Sequence, residues 1–170
     1  MRSNKRYTNV AFTKRVDYDG GAHRGAKASK GRIVCQHCGA AYLRRRWISR
    51  LDPRAELLGM LATPGICPAC DRIAKGTVSG YLRLEGAFLA SHRPDIEHLL
   101  KNEADRAEID NPTGRIIEWD RSTRGVLLIT TTTEHLVKRL GHAVKRTFGG
   151  KIDYGFSHGN KLARATWRRD

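Results

Sequence analysis

The sequence predicts an α+β protein in two parts, a small cysteine-containing module followed by a larger domain in which helices pack on a β-sheet. Four cysteines occur as two Cys-x-x-Cys pairs within the first 70 residues. Beyond them, segments with a hydrophobic period of two, typical of strands, alternate with segments of helical period. Only 39% of the 170 residues are hydrophobic, which favours two small units over one large core.

Residues 1–32 are predicted to form a disordered basic arm. This segment is rich in Arg, Lys, Gly, Ser and Asn, and its scattered apolar side chains follow neither period. A segment of this composition buries too little apolar surface to offset the entropy lost on folding.

Residues 33–76 are predicted to form a metal-binding module, because they hold all four cysteines of the chain: Cys35, Cys38, Cys67 and Cys70. The spacing within each pair allows a tight knuckle in which both sulfurs converge, and four thiolates form a closed tetrahedral site for Zn²⁺, the predicted cofactor. The predicted fold is a treble-knuckle or zinc ribbon. The alternatives are a redox-active pair and an iron–sulfur centre. His37 is expected to point away from the metal, toward solvent or nucleic acid.

One short helix is predicted between the two cysteine pairs. Asp52 is its N-cap and Pro53 its first helical residue, a combination that favours helix initiation. Leu57, Leu58 and Leu61 follow and are predicted to form the buried stripe of this helix.

Residues 77–170 are predicted to form the second unit, which starts with a strand and a helix. In the strand at 78–86, Leu82 and Leu84 point to the core, whereas Tyr81, Arg83 and Glu85 point away from it. A helix begins near Pro94 and ends before the turn at 111–114. Its predicted apolar face consists of Ile96, Leu99, Leu100, Ala104 and Ala107.

Two strands, a second helix and two further strands complete this unit. The strands at 115–120 and 125–133 are joined by a turn, and the β-branched residues of the second favour an internal position in the sheet. The helix at 134–148 ends at two glycines, and its apolar stripe consists of Leu136, Val137, Leu140, Ala143, Val144 and Phe148. In the strand at 151–157 the side chains predicted to point inward are Ile152, Tyr154 and Phe156. After a turn at 158–160, residues 161–167 form the last strand. This order predicts a ferredoxin-like split βαβ sandwich with an extra C-terminal strand and both helices on one face of the sheet.

The formal charge of +15 is concentrated toward the two ends of the chain. Residues 1–50 carry 13 basic and 2 acidic side chains, residues 111–170 carry 12 and 5, and residues 51–110 carry 7 and 10. A field of this sign attracts polyanions, of which nucleic acid is the first candidate and an anionic membrane surface the second. No apolar run approaches the roughly 20 residues of a bilayer helix, and no secretory signal is recognisable, so we expect a cytoplasmic protein with reduced thiols.

Arginines next to the first cysteine pair are the leading candidates for contact with RNA. Four thiolates around Zn²⁺ carry a net negative charge that these arginines can balance, but their number exceeds that need and predicts an external phosphate ligand. Tyr42 and Trp47 can offer rings for base stacking, form the small core of the module, or do both. Basic residues of the second helix are further candidates, with a merely solvated face as the alternative. The predicted nucleic-acid contacts are Arg32, Arg44, Arg45, Arg46, Trp47, Arg50, Lys138, Arg139, Lys145 and Arg146.

A resemblance to known proteins rests on the segments VCQHCGAAYLRRRW, GICPACDRI, GYLRLEG, LLITTTTEHLVKRLGHAVKRTFGGKIDYGFS and ARATW. Over about residues 33–168 the chain resembles an uncharacterised family of small bacterial zinc-ribbon proteins. That family is similar to the N-terminal zinc-binding part of the archaeal and eukaryotic adaptor for nuclear export of the large ribosomal subunit. The resemblance implies a ribosome or ribosomal RNA as partner, with the four cysteines as zinc ligands. It does not carry over the export role, since a bacterium has no nucleus.

The predicted function is RNA binding without catalysis, in association with ribosomes or ribosomal RNA during assembly, quality control or stress-linked inactivity. No catalytic residue is assigned, because the sequence has no nucleophile elbow, P-loop, His-Glu-x-x-His or dinucleotide-binding motif. The alternatives are a DNA-binding or transcription-associated zinc ribbon and a protein–protein adaptor whose acidic middle segment contacts a basic partner. We expect neither a membrane nor a small-molecule substrate as partner.

Overall fold

The computed structural model describes residues 31–59, 61–157 and 162–170, and over these ranges the chain is a mixed α+β protein with two β-sheets. The basic arm predicted for residues 1–32 lies outside the described residues except for its last two, and the turn predicted at 158–160 also lies outside them. The strands are β1 (Ile33–Cys35), β2 (Ala41–Leu43), β3 (Arg46–Ile48), β4 (Thr63–Gly65), β5 (Gly80–Glu85), β6 (Ile116–Asp120), β7 (Val126–Thr131), β8 (Lys151–Ser157) and β9 (Leu162–Arg168). The helices are α1 (Pro53–Gly59), α2 (Pro68–Ala74), α3 (Ala87–Asp110) and α4 (Glu134–Phe148).

The first sheet belongs to the cysteine-containing module and has the strand order β3-β2-β1-β4. β1 and β2 pair antiparallel, as do β2 and β3, whereas β4 runs parallel to β1. Each strand has only three residues, too few to show an alternating pattern, and the sequence did not predict them.

Helix α1 begins as predicted but buries a different face. The carboxylate of Asp52 accepts a hydrogen bond from the backbone N–H of Arg54 at 2.9 Å, as an N-cap does. Of the predicted apolar stripe only Leu58 is buried, whereas Leu57 is 74% exposed and Leu61, beyond the end of the helix, is 75% exposed. The prediction for these two leucines was wrong, because a helix of two turns that packs on such short strands buries only one of its faces.

The second sheet has the order β6-β7-β5-β9-β8, and its elements follow the predicted sequence of strand, helix, strand, strand, helix, strand, strand. β5 and β6 both pair antiparallel with β7, which lies between them, so β5-α3-β6 is a split βαβ unit. The ferredoxin-like order would place β8 next to β5. Instead β9 lies between them, parallel to β5 over six residue pairs and antiparallel to β8. The extra strand is therefore internal, with its short Ala163 and Ala165 side chains buried in the core.

Helix α3 starts earlier than predicted, at Ala87 instead of near Pro94. A kink separates the two parts, since His92 has non-helical dihedral angles (φ −123°, ψ 19°). Pro94 has no N–H to donate to the carbonyl of Ala90, and its ring crowds that carbonyl. The proline therefore kinks a helix that the sequence pattern placed only after it.

The main core lies between this sheet and the two helices on one of its faces. Leu82, Leu84, Leu127, Ile129 and Trp167 from the sheet are fully buried against α3 and α4. The Trp167 indole N–H donates to the carbonyl of Gly149 at 2.8 Å, which ties β9 to the end of α4. The predicted bounds of α4 are confirmed, and so is its buried stripe except for Phe148, which is only partly buried against the core.

The end of β8 departs from the predicted inward pattern. Ile152 and Tyr154 pack against the core as predicted, but Phe156 is 48% exposed. β8 is an edge strand, and the ammonium group of Lys138 on α4 lies 5.7 Å from the centroid of the Phe156 ring. The ring therefore stays at the surface.

Across the three described ranges, no helix combines the length and apolarity that a membrane span requires.

Candidate metal centre

The two cysteine pairs meet because β1 and β4 run side by side in the same direction. Cys35 is the last residue of β1 and pairs with Gly65, the last residue of β4. Cys38 lies in the turn after β1, whereas Cys67 is the N-cap of α2 and Cys70 lies in its first turn. Both pairs thus lie at the same end of the small sheet.

Backbone hydrogen bonds shape each pair into a knuckle. The N–H of Gly39 donates to the carbonyl of Cys35 at 2.9 Å, and Gly39 has a φ of +72°, a conformation that glycine adopts without steric cost. The sulfur of Cys67 accepts the N–H of Cys70 at 3.4 Å, and the sulfur of Cys35 accepts the N–H of Cys67 at 3.3 Å. These N–H groups orient the sulfurs toward a common centre.

The spacing of the four sulfurs fits a metal ion. All four Sγ atoms lie within 4.8 Å of one another, and those of Cys38 and Cys67 are 3.6 Å apart. A tetrahedral site with metal–sulfur distances of about 2.3 Å places its sulfurs about 3.8 Å apart, whereas a disulfide needs about 2.05 Å. All four cysteines are free thiols. His37 is exposed and does not belong to the group, in agreement with its predicted orientation.

Burial and hydrogen bonds shift the pKa values of Cys35, Cys67 and Cys70 in different directions. Burial opposes ionisation of Cys35, but the backbone N–H groups of Cys67, Cys38 and His37 outweigh it and lower the pKa of the Cys35 thiol to about 6. Burial raises the pKa of Cys70 to about 11 and raises the pKa of Cys67 further. Without a cation these two thiols would stay protonated at neutral pH, so the site needs a positive charge at its centre to hold four thiolates.

A positive side chain from the second domain reaches this centre. The guanidinium group of Arg115, which precedes β6, donates to the sulfur of Cys70 at 3.7 Å. The same side chain pairs with Glu108 of α3 and is only 21% exposed. Arg115 could not be predicted as a neighbour of the cysteines, since 45 residues separate it from Cys70 and no local pattern connects them.

Further hydrogen bonds fasten the module to the second domain at the same place. Arg72 of α2 donates to the hydroxyl of Ser79 at 2.9 Å and to the carbonyl of Thr132. The hydroxyl of Thr132 accepts the backbone N–H of Arg115 at 2.8 Å. The metal centre, the start of β6 and the end of β7 therefore form one connected region.

The arginines predicted to contact nucleic acid lie on the outside of the module. Within the described part of the chain none of these five exposed side chains forms an ion pair: Arg32, Arg44, Arg45, Arg46 and Arg50. Arg44 and Arg45 are the two loop residues between the paired Leu43 and Arg46, and their φ values are +49° and +66°. Positive φ at both central positions is the signature of a type I′ hairpin turn.

The two aromatic residues of the module are cross-strand neighbours. Tyr42 and Trp47 pair across β2 and β3, with ring centroids 5.3 Å apart. Trp47 also packs against the cluster that contains the four cysteines. Trp47 thus belongs to the small core of the module, although part of its surface stays exposed.

The four basic residues predicted on α4 divide into two groups. Lys138, Lys145 and Arg146 are exposed. Arg139 instead holds α3 and α4 together, since its guanidinium group donates to Glu103 and to Asp110, each at 2.6 Å. Glu103 is only 9% exposed, so Arg139 supplies the counter-charge for a buried carboxylate.

No family model matches this chain, and neither a curated protein nor a solved structure gives a significant match.

Proposed function

We propose that this chain is a zinc-dependent RNA-binding protein without catalytic activity, which associates with ribosomes or ribosomal RNA. The observation that carries the proposal is the arginine hairpin, defined as Arg44, Arg45 and Arg46. It exposes three guanidinium groups without acidic partners among the described residues, on a module folded around four thiolates.

Zinc is the metal that this donor set favours. Four thiolates with no carboxylate or water select Zn²⁺ over Mg²⁺ and Ca²⁺, and an iron–sulfur centre is the competitor that metal analysis separates. The order of knuckle, hairpin and ligand-bearing helix supports the treble-knuckle or zinc-ribbon class. Apart from the cluster around the cysteines, the described part of the module has one small apolar cluster, which consists of Ala41, Ile48, Ala55 and Leu58. Structural zinc stabilises small fingers by about 10–16 kcal/mol and would supply what this cluster lacks.

The turn of the arginine hairpin supports a binding role. A type I′ turn favours Asn-Gly, because a residue with a Cβ atom is strained at positive φ by about 1–2 kcal/mol. Here both positions hold arginine, with φ values of +49° and +66°. Strain at an exposed, charged loop is typical of sites that bind ligands. Arginine forks bind phosphate oxygens in pairs, so a phosphate backbone is the ligand that fits.

The resemblance in sequence to the bacterial zinc-ribbon family and the export adaptor favours RNA, and the ribosome, as partners. Duplex DNA offers the same phosphates and is the competing ligand. A closed site of four thiolates has no open coordination position for a substrate, which supports a structural role for the metal.

The test replaces Arg44, Arg45 and Arg46 with alanine and measures the affinity for a single-stranded ribosomal RNA fragment at several salt concentrations. Each lost phosphate contact removes about 0.7 from the slope of log affinity against log salt, so we expect the slope to fall by about 2. A duplex DNA of equal length, measured in parallel, identifies the preferred nucleic acid. Zinc content is determined on the same samples.

The matched control removes the same charge elsewhere, by replacing the exposed Arg83, Arg106 and Arg124 with alanine. We expect this variant to keep the wild-type slope. An unchanged slope in the hairpin variant at full zinc occupancy would exclude the arginine hairpin as the RNA contact. Tagged protein that stays at the top of a sucrose gradient, in growing and in starved cells alike, would exclude association with ribosomes.

A further inference from the structure

A second surface on the larger domain combines an exposed aromatic ring with basic side chains. It consists of Lys138, His142 and Lys145 on α4 and of Tyr154 and Phe156 on β8, and we call it the α4–β8 patch. The three α4 residues are exposed and follow one another at spacings of four and three, which places them on one stripe of the helix. Gly141, between them, faces β8, because a Cβ atom there would lie 2.6 Å from the side chain of Ile152.

The aromatic part of the patch is arranged as a platform. The rings of Tyr154 and Phe156 are nearly parallel, at 10°, with centroids 6.1 Å apart. The hydroxyl end of Tyr154 is buried beneath α4, whereas Phe156 is 48% exposed. A large apolar ring held at the surface by a strand offers a flat face on which a base can stack.

The charge of the patch complements a nucleic-acid strand. The ammonium group of Lys138 lies 5.7 Å from the centroid of the Phe156 ring. The acidic residue of β8, Asp153, alternates with Tyr154 and points to the opposite face of the sheet. An exposed contact between an ammonium group and a ring is weak. A base can therefore displace the ammonium group of Lys138 from the Phe156 ring, and Lys138 can then contact the adjacent phosphate.

Phe156 lies at the end of the sheet where the cysteine-containing module is attached. Phe156 pairs with Ala163, Ala163 pairs with Gly80, and Gly80 pairs with Thr131. Arg72 of the module donates to Ser79 and to Thr132, the residues next to Gly80 and Thr131. The arginine hairpin and the Phe156 ring thus belong to units that join at this end.

We propose that the α4–β8 patch binds single-stranded RNA by stacking an unpaired base on Phe156, with Lys138 and Lys145 on the flanking phosphates. This inference rests on the proposed function and adds that the RNA must present an unpaired base. A duplex keeps its bases stacked on one another and offers only phosphates to this surface.

The test uses Phe156→Ala in the full chain with a fluorescent single-stranded RNA of about 12 nucleotides, a length within the usual range of such sites. Loss of one stacked base should weaken binding by about 5-fold to about 150-fold. The salt dependence should stay unchanged, since no phosphate contact is removed. Lys138→Gln should instead lower the salt slope by about 0.7. Phe156→Trp should restore the affinity, because the indole also stacks.

Two control variants separate the patch from general effects of surface changes. Ile109→Ala removes an apolar side chain that is 53% exposed on α3, and Lys101→Gln removes an exposed charge on the same helix. Both should bind like the wild-type protein. Thermal unfolding of each variant shows whether it is folded.

Each outcome decides between the two proposals. Wild-type binding that Phe156→Ala leaves unchanged would overturn the stacking contact and leave the proposed function standing. Equal weakening toward single-stranded RNA and duplex RNA would also overturn it. A wild-type protein that binds neither RNA at low salt would overturn the proposed function together with the patch. Binding to vesicles of anionic lipid that depends on Phe156, without RNA binding, would replace RNA by a membrane surface as the ligand of the patch.

Discussion

Replacing Arg115 with methionine should weaken zinc binding although this residue is not a ligand. Its guanidinium group donates to a sulfur of the candidate metal centre, that of Cys70, at 3.7 Å. Methionine keeps much of the volume of the side chain and removes its charge and hydrogen bonds. Zinc with four thiolates has a net negative charge, and Arg115 stabilises it against the protonated, metal-free thiols.

The size of the effect follows from the distance and the exposure. Two unit charges 3.7 Å apart interact by about 4.5 kcal/mol at an effective dielectric constant of about 20. Water screens part of this energy, since Arg115 is 21% exposed, and the negative charge is spread over four sulfurs. Changes to residues around a metal site typically lower metal affinity about 10- to 100-fold, or about 1.4–2.8 kcal/mol, and we expect a loss in this range.

Competition with a chromogenic zinc chelator measures the dissociation constant of each variant. Arg121→Met is the matched control, because Arg121 and Arg115 line one cleft, and Arg121 pairs with Glu97 at 2.7 Å without contacting a sulfur. Glu108→Gln shows how much of the effect comes from the carboxylate that loses its partner. A zinc affinity of Arg115→Met equal to that of the wild-type protein, or equal losses in Arg115→Met and Arg121→Met, would refute the electrostatic contact.

Three further predictions concern the larger domain. Gly141→Ala should lower the free energy of unfolding by about 1–3 kcal/mol, because its Cβ atom would lie 2.6 Å from Ile152 and 2.7 Å from the hydroxyl of Tyr154. Gly155→Ala is the control and should leave the free energy of unfolding unchanged, because a Cβ atom there has no neighbour within 4 Å. Equal melting temperatures of the two variants would contradict this prediction. Burial raises the pKa of Tyr154 above its usual 10.0, so the unfolded state ionises first and stability falls as the pH rises above about 10. Tyr154→Phe should remove the part of this loss of stability at alkaline pH that is due to Tyr154. At neutral pH the stability should be unchanged or higher, since the hydroxyl is buried and has no partner among the described residues. Identical pH profiles of the wild-type protein and the variant in denaturant titrations would exclude this. A fragment of residues 77–170 should fold without the module, as dispersed amide signals in NMR would show, because its core cluster lies wholly within that range; a collapsed, aggregating fragment would disprove it.

Local sequence patterns predicted a feature correctly where the residues that determine it lie close together in the chain. Helix α4 has an unbroken apolar stripe and ends at Gly149 and Gly150, so its bounds at Glu134–Phe148 could be predicted. The grouping of the four cysteines could be predicted because two residues between paired cysteines already restrict the geometry of the sulfurs. In both cases the deciding contacts lie a few residues apart.

The features that could not be predicted from the sequence depend on contacts between residues far apart in the chain. The place of β9 between β5 and β8 depends on contacts across about 80 residues, for which a single strand carries no signal. Phe156 follows the inward alternation of its strand, but alternation does not show that Lys138 would lie over its ring at the edge of the sheet. The ion pairs of Arg139 could not be predicted either, since Glu103 and Asp110 belong to another helix.

The internal position of β9 determines the order in which the protein can assemble during its synthesis. All four cysteines leave the ribosome well before Trp167, so the cysteine-containing module can fold while the larger sheet is still incomplete. Until β9 arrives, β5 has an unpaired edge and the core lacks its largest fully buried side chain, Trp167. Such an edge can pair with a second nascent chain. The stage before β9 is synthesised should therefore be the one at which this chain is most prone to aggregate. A chain truncated before residue 162 should be insoluble even in the presence of zinc.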